Sequence, residues 1–145
     1  LWLDAAEKKY VEEVGTSNIF FVLEDELITP PLAGTILPGI TRDSVIKLAG
    51  YLGIKVVERP ITIQEIITAS EKGTLQEAFA SGTAAIISPV GHLYFRNKEY
   101  AINNGKTGAI AEKLYNEILQ IQYGFKEDPF GWSVKILEEG KAKKG

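Results

Sequence analysis

Two short stretches of the sequence could bind an anion through backbone N–H groups. The first, "LPGIT" at residues 37–41, runs directly into a segment with helical spacing, so Ile40 and Thr41 should lie at a helix N-terminus. Unpaired N–H donors and the helix dipole attract negative charge there. The second, "SGTAA" at residues 81–85, follows a turn glycine with the N–H groups of Thr83 and Ala84, which can form a nest for a carboxylate or phosphate. Each stretch also has a purely structural interpretation, Thr41 as a helix N-cap and the second stretch as a plain turn.

A pair of carboxylates stands at the start of an apolar run. The stretch "EEVGTSNIFF" at residues 12–21 places Glu12 and Glu13 just ahead of a segment that should become a buried strand. Charged side chains normally stay exposed, so a solvated carboxylate at a strand end is the simplest interpretation of Glu13 taken alone. Alternation along a strand sends neighbouring side chains to opposite faces, so Glu12 and Glu13 should not serve the same site.

Composition excludes several classes of chemistry. With 145 residues, 45% of them hydrophobic and 24% charged, the chain has the length and balance of one soluble globular domain. A net charge of -3 indicates neither a nucleic-acid nor a membrane partner. The absence of cysteine and the single His92 exclude disulfides, a catalytic thiol and a histidine or thiolate metal site. No apolar run reaches the roughly 18 residues of a membrane helix and the start lacks the pattern of a signal peptide, so we expect a cytoplasmic protein.

Alternating strands and helices should position these stretches. We predict a hairpin from strands at residues 19–23 and 27–29, then a helix from Thr41 as N-cap to Gly53 as C-terminal stop. A strand over residues 54–61 should follow, and Thr62 with Glu65 fits a capping box that opens a helix through about Ser70.

The second half should contain two hairpins and a helix. Two short strands are predicted to join at Ser81 and Gly82, with Pro89 breaking the second, and a further hairpin turns at residues 96–98. The last helix should run over residues 108–122 with one apolar stripe, formed by Ile110, Leu114, Ile118 and Ile121.

The spacing of the polar positions resembles a known signature. Starting at Glu13, "E-V-G-T-S-N-I-F" is followed by "L-I-T" at residues 27–29 and then by "L-P-G-I-T-R" at residues 37–42, which is similar to the class IV, fold type IV, aminotransferase pattern. Nearly all of the chain shares in the resemblance, and "GTAAIISPVG", "INNGKTGAIAEKLYNEILQIQYG" and "EDPFGW" look like the carboxy-terminal part of a branched-chain amino acid aminotransferase. The resemblance implies an α/β (α+β) fold, the larger, barrel-like domain of the D-amino acid aminotransferase-like fold, with mixed strands and about three helices.

The resemblance also implies roles for the polar residues. It implies pyridoxal 5'-phosphate as cofactor, with Glu13 on the pyridine nitrogen, where a carboxylate favours the protonated ring that serves as electron sink. Glu12 is then expected to be solvated. Ile40, Thr41 and Thr83 should bind the cofactor phosphate, and Thr83 with Ala84 should offer main-chain donors to the substrate's carboxylate. Arg42 is expected to be a signature residue of the helix start rather than a ligand.

Part of the expected machinery is not found in this sequence. In the family the Schiff-base lysine lies upstream of the glutamate motif, and no lysine here matches it, Lys8 and Lys9 being nearest but in a polar turn. The chain also starts at Leu1 without methionine, so we expect a piece of a longer polypeptide that lacks its amino-terminal domain. Residues 1–137 should then form the cofactor-binding carboxy-terminal domain and residues 138–145 a polar tail, and this piece alone should be inactive.

Two hypotheses from different classes follow. In the first, the full-length parent transfers the amino group of Leu, Ile or Val to 2-oxoglutarate in branched-chain amino acid biosynthesis, and is a homodimer or larger. In the second, the chain is a stand-alone, non-catalytic module that binds a cofactor or another anion. A fragment of another class IV enzyme, a D-amino acid aminotransferase or an aminodeoxychorismate lyase, is the alternative within the first hypothesis.

Overall fold

The computed structural model describes residues 1–134 and consists of a mixed sheet, a separate hairpin and three α-helices. The strands are β1 (Glu13–Val14), β2 (Ser17–Leu23), β3 (Glu26–Thr29), β4 (Lys55–Glu58), β5 (Leu75–Gly82), β6 (Ile86–Pro89), β7 (His92–Phe95) and β8 (Lys98–Ala101). The helices are α1 (Ile40–Tyr51), α2 (Ile63–Lys72) and α3 (Ala109–Gln122), and a short 3-10 turn covers Asn103–Gly105. The sheet has the order β4-β3-β2-β5-β6, with β1 added beside β2, and β7 pairs with β8 alone. The predicted α/β class with about three helices is confirmed.

Strand β2 lies at the centre of the sheet and is buried on both faces. Phe20 and Val22 belong to one apolar cluster, which they share with residues of α1 and α3. Ile19 and Phe21 point to the opposite face, where they join residues of α2 in a second cluster. Phe20 stacks on Phe79 of β5 with ring centroids 5.2 Å apart. Burial on both faces explains why the strand reads as a continuous apolar run rather than an alternating one.

The predicted hairpins are present, with one change. Strands β2 and β3 pair antiparallel across the turn at residues 24–25, and β7 and β8 pair across residues 96–97. The prediction that two short strands join at Ser81 and Gly82 is wrong, because β5 continues as one strand through Gly82 and the turn occupies residues 83–85. Pro89 is the last residue of β6, where its missing N–H interrupts no further pairing.

Helix α1 begins two residues earlier than predicted. Its N-cap is Gly39, which has extended backbone angles and makes no side-chain cap, so the assignment of Thr41 as N-cap is wrong. The first intrahelical bond runs from the Asp43 N–H to the Gly39 carbonyl, over 3.0 Å. The C-terminal end is as predicted, since Gly53 adopts the left-handed φ of +77° that a helix stop requires.

The other two helices match their sequence signals in part. The Thr62 hydroxyl accepts the Glu65 N–H at 3.0 Å, as a capping box requires, but the Glu65 carboxylate binds Arg59 instead of returning to Thr62. Helix α2 ends at Lys72, two residues beyond the predicted end. In α3 the buried stripe contains the predicted residues except Ile110, whose place is taken by Ala111.

Strand β4 is shorter than the strand predicted over residues 54–61, because it covers only Lys55–Glu58. It pairs parallel with β3, which makes the sheet mixed.

No helix within residues 1–134 is long and apolar enough to cross a membrane. The predicted boundary at residue 137 and the polar tail over residues 138–145 lie outside the described residues.

Candidate functional site

Glu13 has one carboxylate oxygen that is bound and one that no other residue within 1–134 contacts through a hydrogen bond. Strand β1 pairs antiparallel with β2, so that Glu13 lies directly opposite Asn18. The Glu13 Oε1 atom accepts the Leu37 N–H at 2.9 Å and the Asn18 side-chain amide at 3.3 Å. Its Oε2 atom accepts no hydrogen bond from any of residues 1–134, and the side chain is only half-buried. A held carboxylate with one free oxygen can receive a hydrogen bond from a protonated nitrogen.

Glu12 is not the solvated carboxylate that the sequence predicts. Its Oε1 atom accepts a hydrogen bond from the Thr35 hydroxyl at 2.7 Å, and the residue is half-buried. Both neighbouring carboxylates therefore bind the loop over residues 30–39, Glu12 through Thr35 and Glu13 through Leu37. The loop folds back over β1, a contact between residues more than 20 positions apart that local sequence patterns do not predict.

Asn18 connects the carboxylate to the loop. This side chain is only 5% exposed, and its amide donates to the Leu37 carbonyl at 2.9 Å as well as to Glu13. Its oxygen lies so close to Gly39 that a Cβ atom added there would be 2.3 Å away. The sequence contains Asn18 within the signature that starts at Glu13, yet the resemblance gives it no role. A buried amide must find hydrogen-bond partners, and this requirement is the sequence signal for its role.

The N-terminus of α1 offers free donors. Ile40 and Thr41 are the first two residues of the helix, and within residues 1–134 their N–H groups find no backbone or side-chain acceptor. Gly39, as N-cap, brings no side chain to cover them. The Ile40 side chain is 86% exposed, which leaves this helix end open to solvent. Free N–H groups at the positive end of a 12-residue helix suit an anion.

The turn after β5 forms a second open group of donors. Thr83 and Ala84 are exposed, and no acceptor for their N–H groups is found among the described residues. A pocket of about 290 Å³ lies between residues 16–17 and residues 82–85. Gly82 is needed at its edge, because a Cβ atom there would stand 2.8 Å from the Ser17 hydroxyl. Next to it, the Ser81 hydroxyl is buried without a partner among the described residues.

The fold brings these groups to one end of the sheet. Asn18 pairs with Glu13 on one side and lies opposite Ser81 of β5 on the other. The next residues of β5 lead into Thr83, while the loop held by Asn18 leads into Ile40. The predicted residues Glu13, Ile40, Thr41, Thr83 and Ala84 thus surround the first residues of β2.

Other polar groups lie away from this end. A larger pocket of about 410 Å³ lies beside Leu23, at the opposite end of β2, and is lined by polar side chains of α2. Buried Arg42 turns from the helix N-terminus and binds the Pro30 carbonyl and the Glu58 carboxylate, at 2.8 Å and 2.6 Å, so it anchors the loop. Exposed His92 faces Glu99 at 3.2 Å in the separate hairpin. Among the described residues no cluster of potential ligands could hold a metal ion.

Comparison with protein families identifies the family of this chain. The family model for amino-transferase class IV matches residues 3–93, which include β1 to β6 and both groups of free donors. The chain belongs to the class IV aminotransferase family. It is 54% identical over 143 residues to branched-chain-amino-acid aminotransferase 2 of Bacillus subtilis, an alignment that covers 97% of this chain and 39% of that protein. A probable branched-chain-amino-acid aminotransferase of Staphylococcus epidermidis is also 54% identical, over 94% of this chain and 38% of its own length.

Solved structures of class IV aminotransferases share the fold. The branched-chain amino acid aminotransferase of Escherichia coli superposes with a TM-score of 0.75 at 34% identity, over 90% of this chain and 40% of that one. A further branched-chain amino acid aminotransferase, solved with pyridoxamine 5'-phosphate, gives a TM-score of 0.68 at 32% identity over 83% of this chain and 35% of its own. The chain therefore spans about two fifths of the length of the relatives it matches.

Proposed function

We propose that this class IV aminotransferase chain is part of a branched-chain amino acid transaminase. The parent enzyme would transfer the amino group of Leu, Ile or Val to 2-oxoglutarate. The observation that carries this proposal is the 54% identity, along 97% of the chain, to a protein named as a branched-chain-amino-acid aminotransferase.

Pyridoxal 5'-phosphate is the cofactor that the open groups fit. The free Oε2 of Glu13 would hold the proton on the pyridine nitrogen, because a carboxylate favours the charged form of a neighbouring base. The unpaired N–H groups of Ile40 and Thr41, with the Thr83 hydroxyl, would bind the phosphate. When bound, the cofactor supplies an electron sink for the charge that develops at the substrate's α-carbon.

The substrate would use the turn after β5. The free N–H groups of Thr83 and Ala84 are suited to an α-carboxylate, since two neighbouring main-chain donors can bind its two oxygens. Binding the carboxylate beside the phosphate site would orient the α-carbon toward the cofactor ring. The branched side chain would be recognised by parts of the parent enzyme outside this chain.

The attachment of the cofactor is assigned to no lysine of this chain. Lys8 and Lys9 are exposed and lie in the turn that Asp4 closes through the N–H groups of Glu7, Lys9 and Tyr10. A lysine that attaches a cofactor is activated by desolvation in a pocket, and neither of these exposed side chains lies in one. The inactivity of the isolated piece, the homodimeric or larger assembly and the cytoplasmic location stay predictions.

Substrate profiling of the complete protein tests the proposal. Purified protein supplied with pyridoxal phosphate should convert leucine, isoleucine and valine with 2-oxoglutarate to the corresponding 2-oxo acids and glutamate. D-alanine and aminodeoxychorismate, substrates of the other class IV activities, should react far more slowly. Preferential reaction with either of those compounds would assign the chain to that activity instead, and cofactor binding without any turnover would favour the non-catalytic module.

A pair of carboxamide variants tests the role of Glu13. Glu13→Gln keeps the volume of the side chain but removes the charge that favours a protonated ring nitrogen. If the pKa of that nitrogen falls by about 2–3, the loss is about 3–4 kcal/mol, a few hundredfold in the rate of the first half-reaction. Glu12→Gln is the matched control, because its carboxylate binds Thr35. Single-turnover measurements with leucine should show slowing only in Glu13→Gln, and slowing in the control alone would transfer the role to Glu12.

A further inference from the structure

Asn18 occupies a position that none of the proposed ligand contacts explains. It is a polar side chain, 5% exposed, in a strand whose next five residues are apolar and buried. Burying an amide is unfavourable unless its donors and acceptor are satisfied. Here the Asn18 amide group donates to Glu13 Oε1 at 3.3 Å and to the Leu37 carbonyl at 2.9 Å. The buried amide thus joins two segments that approach one another only in the folded chain.

The two segments carry the two halves of the proposed cofactor site. Glu13 would bind the ring nitrogen, and the residues after Leu37 lead directly to the free N–H groups of Ile40 and Thr41, which would bind the phosphate. The ring nitrogen and the phosphate of one cofactor molecule are joined through the ring and a short methylene–oxygen arm, which restricts the distance between them. The carboxylate and the helix N-terminus must therefore be held at a matching separation if both are to bind at once.

Asn18 makes contacts that can fix this separation. Its amide binds the same Glu13 oxygen that the Leu37 N–H binds, so the carboxylate, the amide and the Leu37 peptide form a closed ring of hydrogen bonds. On its other side, the Asn18 oxygen fills the space that a side chain at Gly39 would need. Because Oε1 is fully used in this ring, the free oxygen of Glu13 is Oε2.

We propose that Asn18 is a positioning residue that holds the Glu13 carboxylate and the segment over residues 37–40 in one fixed arrangement, so that both can engage one pyridoxal phosphate molecule. This inference rests on the proposed function for its ligand, although the hydrogen-bonded ring belongs to the chain alone. It makes Asn18 act through Glu13 and through the loop. Asn18 is thus not itself a proposed ligand of the cofactor.

Hydrogen exchange tests the positioning role without any cofactor. In the complete cofactor-free protein, Asn18→Ala should speed amide exchange at Leu37 by about tenfold, because the carboxylate that accepts this N–H loses its second donor and its orientation. The control is Thr29→Val, which removes the buried 2.7 Å bond from the Thr29 hydroxyl to the Ile19 carbonyl on the same sheet. Exchange at Leu37 should stay within about threefold of the parent in this control. Equal exchange in the parent and in Asn18→Ala would overturn the proposal.

Cofactor affinity tests the consequence for binding. Asn18→Ala should weaken pyridoxal phosphate binding by about 10- to 100-fold, the effect seen when a partner that orients a primary ligand is removed. Thr29→Val should leave the affinity unchanged. In a double-mutant cycle, Asn18→Ala should change the affinity of Glu13→Gln by less than it changes that of the parent, because the part of its effect that acts through the carboxylate is already gone. Full additivity of the two changes would show that Asn18 does not act through Glu13.

Gly39→Ala is a second variant that disturbs Asn18 while leaving its side chain in place, so the test does not depend on whether Asn18→Ala folds. The added methyl group should displace the Asn18 oxygen. We expect faster amide exchange at Leu37 and weaker cofactor binding, both to a smaller extent than in Asn18→Ala. Gly39 has an ordinary negative φ of -67°, so backbone strain does not contribute.

If the parent protein binds no pyridoxal phosphate, the proposed function fails while the exchange result at Leu37 still decides the role of Asn18. If the parent binds it and the Asn18 and Gly39 variants behave like the parent, the positioning role fails alone.

Discussion

Replacing Glu77 with glutamine should loosen the start of α3. Glu77 lies on β5, is 7% exposed, and its two carboxylate oxygens accept the N–H groups of Ile110 and Ala111, each at 2.9 Å. The carboxylate therefore caps a helix that begins more than 30 residues later. Its charge also lies at the positive end of the helix dipole, where an anion is stabilising.

The magnitude follows from these contacts. Glutamine keeps the shape and one acceptor but turns an N–H group toward a backbone N–H, so one bond to a charged group is lost, a loss of about 1.5–3 kcal/mol. The remaining bond becomes a neutral one and the dipole interaction disappears, whereas relief of the buried charge offsets part of the loss. We expect a net loss of about 2–3 kcal/mol in the local stability of α3, which is about 30- to 150-fold in an opening equilibrium.

Native-state hydrogen exchange over residues 109–122 of the complete protein measures this directly, because exchange from α3 reports the opening of that helix. Glu77→Gln should speed exchange of the α3 amides by the factor given above. Glu112→Gln is the control, since it removes a first-turn charge from the same helix at an exposed position, worth about 0.3–1 kcal/mol. Gly108→Ala should act like Glu77→Gln, because a Cβ atom there would lie 1.9 Å from the Glu77 carboxyl carbon. Similar exchange in Glu77→Gln and Glu112→Gln would refute the capping role.

Three further changes give measurable outcomes. Thr83→Val in the complete enzyme should weaken pyridoxal phosphate binding about 10- to 100-fold in a fluorescence titration. The reason is that a hydroxyl hydrogen bond to a charged phosphate is worth about 1.5–3 kcal/mol. An unchanged dissociation constant would make Thr83 a turn residue only. Glu58→Gln should lower the free energy of unfolding in urea by about 1–3 kcal/mol. Glu26→Gln should lower it less, because its partner Lys55 is 70% exposed whereas Arg42, the partner of Glu58, is 4% exposed. Equal losses in the two variants would contradict this. The N–H groups of Tyr10, Glu7 and Lys9 lower the pKa of Asp4. The stability that this turn contributes should therefore be present above the usual aspartate pKa and be lost as pH falls through the lowered pKa of Asp4. An ordinary aspartate pKa for Asp4 in an NMR titration would contradict this prediction.

Local patterns in the sequence were sufficient for the elements and for the family. The apolar run of β2, the helical stop at Gly53 and the cap at Thr62 each depend on a few neighbouring residues, and all three agree with the structure. The start of α1 is the exception, because the sequence predicts Thr41 as its N-cap. In the structure the loop held by Asn18 and Arg42 gives that role to Gly39.

Contacts between distant parts of the chain decided the rest. The resemblance assigned Glu13, Thr41 and Thr83 to one cofactor, but the residues themselves did not show that they meet. The pairing of β1 and β5 with β2, and the loop held by Asn18, bring them to the same end of the sheet. The same holds for the bond of Glu12 to Thr35, the ring of hydrogen bonds around Asn18, and the cap that Glu77 provides for α3. Periodicity and capping signals report interactions within a few residues, whereas these bonds join residues 5 to 34 positions apart and form only when the strands are in register.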